Sequence, residues 1–176
     1  MQNVSVIQEF ISALFKAGLP MGLASFALTW WALKKDYLGQ VKTFSDFESG
    51  VERLSKAENT TKTNPVHKKW MTFGGGFYGL AGLLTYAVVE WGEIRQFFEQ
   101  FSGVGDFMSR FGPGMLVDLF IDALMNSIIA FAWPIYWLSD ISGEYVWVWF
   151  LAAYAGYWAG VRFALMRYDK NRVPSL

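Results

Sequence analysis

Residues 70–89 read WMTFGGGFYGLAGLLTYAVV, twenty positions without a charged side chain and with five glycines. A helix rising 1.5 Å per residue needs about 20 residues to cross about 30 Å of hydrocarbon, so the stretch has the length of a membrane span. Trp70 and Trp91 stand at its two ends, where aromatic rings anchor a helix in the interface. Gly74, Gly75, Gly76, Gly79 and Gly82 strip it of side chains, which favours close packing against another helix over a broken turn.

Three more runs lack charge: residues 17–33 beyond Lys16, residues 123–139 and residues 145–161. The chain has 176 residues, 53% hydrophobic and 17% charged. Four such runs cannot all be core helices of one small soluble domain, because too little polar surface would remain to cover them. The expected fold is therefore an all-α integral membrane protein, a single transmembrane helical domain over residues 1–176. Its small bundle of about four transmembrane helices has spans near residues 10–33, 70–90, 115–138 and 145–166.

Residues 1–10 contain no Lys or Arg, so the first apolar run reads as a retained span and not a cleaved signal. Pro20 is expected to kink it, and Trp30, Trp31, Lys34 and Lys35 mark its end. Residues 34–69 form a polar cytoplasmic connector. Within it, Ser45 and Glu48 match a capping box, and Phe44, Phe47, Val51 and Leu54 follow at helical spacing. That predicts a short amphipathic helix near residues 45–56, lying on the membrane or on its neighbours. Between spans two and three, the recurrence of Ile94, Phe97, Phe98, Phe101, Val104, Met108 and Phe111 predicts an interfacial amphipathic helix over residues 94–111. Only residues 139–144 separate spans three and four, which implies an antiparallel hairpin.

Loop charge gives a conflicting orientation. Residues 34–69 hold eight basic residues against two in residues 91–114, which puts the first connector on the cytoplasmic side. Four crossings then leave both termini outside and strand Arg162, Arg167, Lys170 and Arg172 on the disfavoured side. An odd number of crossings, with a segment before Pro20 or around Gly112-Pro113-Gly114 re-entrant, would remove the conflict.

Two constellations carry the functional reading. Gly18 and Gly22, Gly75 and Gly79, and Gly156 and Gly160 give small-xxx-small spacing in three spans, a pattern that lets helix backbones approach. Asp118, Asp122 and Asn126 follow at four-residue intervals and share one helix stripe, with Ser127 beside it. A carboxylate in hydrocarbon must neutralise, meet a cation or sit in water. Lys16 is the natural counter-charge, which makes these four residues the candidate ion or buried-charge site. Glu90 and Glu93, flanking Trp91, stand where they would close one end of an ion route.

Enzyme chemistry finds little support. The single histidine, His67, lies in a basic stretch, and there is no cysteine. Those counts exclude two-histidine metal or haem ligation and Cys–His couples within the chain. No catalytic or metal-ligating residue is expected and no cofactor is indicated, though lipid contacts are. Zero net charge argues against nucleic acid as a partner. The expected function is an accessory or structural subunit of a larger membrane assembly, packed against other membrane subunits or copies of itself. The alternative is a small oligomeric ion or proton channel or carrier with the acidic stripe on span three. A bacterial inner membrane is the expected location.

Overall fold

A computed structural model describes residues 6–56, 64–99, 112–139 and 145–172, and among them all regular structure is helical. In chain order the helices are α1 (Val6–Lys34), α2 (Phe44–Lys56), α3 (Pro65–Thr72), α4 (Gly76–Glu99), α5 (Pro113–Phe131), α6 (Trp133–Leu138) and α7 (Val146–Arg172).

The four-span bundle is not what this chain builds. Two helices, α1 and α5, are long and apolar enough to cross a membrane; α3 and α4, bent by 115°, make at most a third. The run that opened the sequence reading is where the expectation fails. Gly74, Gly75 and Gly76 have φ of 99°, 64° and 53°, a left-handed path that side chains other than hydrogen resist. The glycines end α3 and turn the chain into α4, and the Trp70 indole N–H closes the turn on the Gly76 carbonyl at 3.0 Å. Span three, expected over residues 115–138, breaks at Ala132. Pro134 has no N–H to return to the Ala130 carbonyl, the Ile135 N–H turns to the Ala132 carbonyl at 2.9 Å, and the Phe131 carbonyl accepts the Tyr78 hydroxyl at 2.5 Å. The interfacial helix expected over residues 94–111 is, as far as residue 99, the continuation of α4; residues 100–111 lie outside the described residues.

At Pro20, where a kink was expected, the structure shows a widened turn. A π-turn over Leu14–Gly18 precedes the proline, with the Leu19 N–H reaching back to the Leu14 carbonyl. The extra residue in that turn accommodates the carbonyl that a proline cannot satisfy.

α1 and α7 form the main axis of the fold, and they run in the same direction. From one end to the other, the Trp149 indole donates to Glu9 at 2.7 Å and Ser25 Oγ donates to the Tyr157 carbonyl at 3.1 Å. Phe26 then meets Phe163 at 5.5 Å and Trp30 meets Tyr168 at 6.3 Å, both numbers rising together. α7 thus packs along α1 and not, as a hairpin of spans three and four would have it, along α5. α5 instead runs antiparallel to α4, with Tyr78 at Phe131, Gly82 at Ala130, and Glu90 and Glu93 at Asn126.

Glycine makes the α1 and α7 seam. A Cβ on Gly18 would lie 2.9 Å from the Ala152 carbonyl oxygen, and one on Gly22 3.2 Å from that of Gly156. Cβ atoms on Gly156 and Gly160 would collide with the Gly18 and Gly22 carbonyls. Four of the six glycines singled out by spacing thus sit in one contact within the chain. Gly75 belongs to the turn, and Gly79 packs on the Trp70 carbonyl of the preceding helix, where a Cβ would come within 2.7 Å.

α2 forms near the expected place, but its capping box is Thr43 with Asp46. Asp46 accepts from the Thr43 N–H at 2.9 Å while Thr43 Oγ1 accepts from the Asp46 N–H at 3.1 Å. These hydrogen bonds hold the Asp46 carboxyl below the ordinary aspartate range. The apolar face of α2 buries Phe47 and Val51 in a core with Leu33, Leu38, Trp70, Leu80 and Tyr157, so the helix lies on its neighbours.

Candidate functional site

The polar groups that converge in this apolar fold lie where α4 and α5 face each other. Glu90 and Glu93 are three residues apart, and so on one face of α4. Asn126 is 1% exposed on the facing side of α5. Its Nδ2 donates to Glu90 Oε2 at 3.1 Å and to Glu93 Oε2 at 2.6 Å. Both carboxylate oxygens touch one nitrogen, so they are no farther apart than those two distances laid end to end, under about 6 Å, where like charges repel appreciably. Tyr86 precedes Glu90 by four residues on the same face of α4, with its hydroxyl near the Glu90 carboxylate. The Asn126 Oδ1 has no hydrogen-bond partner among the described residues.

A cation stands beside this group. Lys69 of α3 reaches across to donate to Ser127 Oγ at 3.3 Å, and its ammonium lies 4.1 Å from the centre of the Tyr86 ring and 5.4 Å from that of Phe73. It is held by ring faces and a hydroxyl and forms no ion pair with either glutamate among the described residues. The arrangement is a two-carboxylate, one-ammonium cluster with a formal charge of −1 if all three are ionised. It can hold a proton between the carboxylates or take a monovalent cation on their oxygens. Among the described residues no three His, Cys, Asp or Glu side chains converge.

The expected stripe is divided by the fold. Asn126 turns inward to the glutamates, while Asp118 and Asp122 are exposed on α5. Lys16 is exposed on the π-turn of α1 and forms no ion pair with Asp118 or Asp122 within the chain. Glu90 and Glu93, read from the sequence as end pieces, are at the centre. Lys69 and Tyr86 went unnoticed; the signal for Tyr86 was its four-residue spacing from Glu90, whereas Lys69 is brought in by the turn at Gly74-Gly75-Gly76.

His67 is also placed differently from the basic stretch the sequence suggested. It is 2% exposed on α3, enclosed by Trp31, Tyr37 and Trp70, with Nε2 3.0 Å from the Leu28 carbonyl. A carbonyl only accepts, so Nε2 carries the hydrogen and the ring is a structural tie between α3 and α1. Set against known proteins, the chain matches no family model, no curated protein and no solved structure.

Proposed function

We propose that this chain is a subunit of a membrane assembly whose partner covers α5. The observation that carries the reading is the surface of that helix. Its most apolar stretch is only 11% buried, with Leu119, Phe120, Ile121, Leu124, Met125 and Ile128 exposed. Asp122 is exposed near the middle of the same 19-residue helix, one turn after Asp118. Lipid accommodates the aliphatic side chains but not the carboxylates, since a charge at the centre of a span costs about 2.5–3.5 kcal/mol even on the mildest scale. A partner helix bringing basic or hydrogen-donating side chains to Asp118 and Asp122 removes that cost. The glycine faces do not contribute to this argument, because the α1 and α7 contact already uses them.

The test is the mass of the particle extracted in mild detergent, compared with that of Asp122→Leu. Under this reading the unaltered chain leaves the membrane with stoichiometric partner protein, and Asp122→Leu loses it. If the partner is a second copy, Lys16 is the side chain to meet Asp122, and Lys16→Met combined with Asp122→Leu restores the oligomer. A monomer in both the unaltered and the Asp122→Leu forms would remove the proposal.

The Glu90, Glu93 and Asn126 cluster favours a second reading, a proton or monovalent cation carrier. Flux into proteoliposomes that Glu93→Gln abolishes supports it, and absence of flux in the unaltered chain counts against it.

A further inference from the structure

We propose that the end of the α1 and α7 pair formed by Trp30 to Lys35 and Arg162 to Asp169 is a docking surface for anionic phospholipid headgroups. This contact fixes the direction of the pair in the bilayer. The inference rests on the membrane reading above and goes beyond it, because it names the lipid chemistry and the side.

The parallel packing is what makes it. Basic residues 127 or more positions apart in sequence are brought to one half of the pair: Lys34 and Lys35 end α1, Arg167 lies next to the Trp30 and Tyr168 contact, and Arg162 lies about a turn further in, next to the Phe26 and Phe163 contact. The ring contact between Trp30 and Tyr168 fixes that register. All four basic side chains are exposed, and three rest on aromatic faces: Lys34 at 5.2 Å from the Trp30 ring, Arg162 at 4.9 Å from Trp158 and Arg167 at 5.3 Å from Phe163. Rings at headgroup depth with cations reaching past them are the arrangement by which a membrane helix meets anionic lipid. Asp36 and Asp169 share this end and leave the basic residues in excess.

The opposite end has the reverse character. Glu9 is engaged by Trp149, residues 146–161 carry no charge, and Lys16 lies inward from the helix start. α7 does not qualify as a span by its own hydropathy, since tryptophan, tyrosine and glycine contribute little to that scale. Packed along α1 in the same direction, it shares α1's depth. Two neighbouring helices that run the same way require the chain between them to return an odd number of times. The conflict in loop charge then disappears: the connector after α1 and the basic end of α7 lie on one side, that of the anionic leaflet, and the start of α1 lies on the other.

The chain has no cysteine, so single reactive positions can be introduced cleanly. Val6→Cys, Lys35→Cys and Asp169→Cys are exposed to a membrane-impermeant maleimide in intact bacterial spheroplasts and after lysis. The expected result is labelling of Val6→Cys in intact spheroplasts and of Lys35→Cys and Asp169→Cys only after lysis. Labelling of Lys35→Cys and Asp169→Cys from different sides, or of either from outside, overturns the orientation. The headgroup contact is read from phospholipid retained by the purified, unaltered chain. Anionic lipid should be enriched several-fold over the source membrane and stripped by high salt, and the combined variant K34Q/K35Q/R162Q/R167Q should lose the enrichment. Retention in the same proportions as the source membrane, measured on the unaltered chain, overturns the headgroup contact whether or not the variant folds. Release of the chain by alkaline carbonate is a different failure: it removes the membrane reading itself.

Discussion

Replacing Gly156 with alanine adds one methyl group at the closest approach of α1 and α7. The new carbon would overlap the Gly18 carbonyl oxygen and sit 2.8 Å from its carbon and 2.9 Å from Gly18 Cα, all backbone atoms that no rotamer change can move. Relief requires the helices to separate by roughly 1 Å, which forfeits a quarter to a half of the dispersion energy across the seam. Overpacking of this kind costs about 1–3 kcal/mol, and stretching the buried Ser25 to Tyr157 hydrogen bond adds about 1 kcal/mol. Alanine returns about 0.5–1 kcal/mol of helix propensity, so the net loss is about 1–3 kcal/mol. Gly92→Ala is the control, because nothing lies within 4 Å of its added carbon and only the propensity gain applies. The two variants should differ by about 2–4 kcal/mol, which for a chain of this size is roughly 4–16 °C in Tm. Thermal unfolding in mild detergent, followed by circular dichroism, reads the difference. Coincident Tm values, or a more stable Gly156→Ala, would refute the close parallel seam.

The cap of α2 gives a pH dependence. Asp46 is held below its ordinary value, so its contribution is present above the unfolded pKa of about 4 and is lost as pH falls through the lowered folded value. Hydrogen exchange of α2 amides should stay flat from neutral pH down to about 5 and lose protection only in stronger acid, whereas Asp46→Ala should lack that step. His67→Ala removes a buried ring and its tie to the Leu28 carbonyl and should destabilise by about 2–4 kcal/mol; a loss under about 1 kcal/mol would argue against a structural role. Tyr78→Phe leaves the Phe131 carbonyl unpaired at the proline break and should cost about 0.6–1.7 kcal/mol in detergent-solubilised protein, with no change expected if water already reaches that carbonyl.

Local spacing was a good guide wherever the deciding contact was itself local or repeated. Gly18, Gly22, Gly156 and Gly160 were recognisable because each pair stacks small residues on one helix face, although which helices they join was not. The amphipathic pattern of Phe44, Phe47, Val51 and Leu54 located α2 because burying those side chains needs only a helix and a neighbour. Gly74-Gly75-Gly76 was misread because glycine serves both close packing and left-handed turns, and only the backbone angles separate the two. The packing of α7 was hidden for a related reason: a short connection limits distance but does not decide which helix α7 packs along. The same long-range pairing hid the polar cluster. Asn126 was in the candidate stripe, but its partners Glu90 and Glu93 lie 36 and 33 positions away and are joined to it only by the α4 and α5 packing.

The account stands on the chain being held in a membrane by α1 and α5. Membranes containing it should be washed in alkaline carbonate and floated through a density gradient, with the chain followed in every fraction. All of it should rise with the lipid, because the apolar surface of α5 is largely uncovered among the described residues. Recovery of a helical, monomeric chain in detergent-free buffer at the bottom of the gradient would contradict the account.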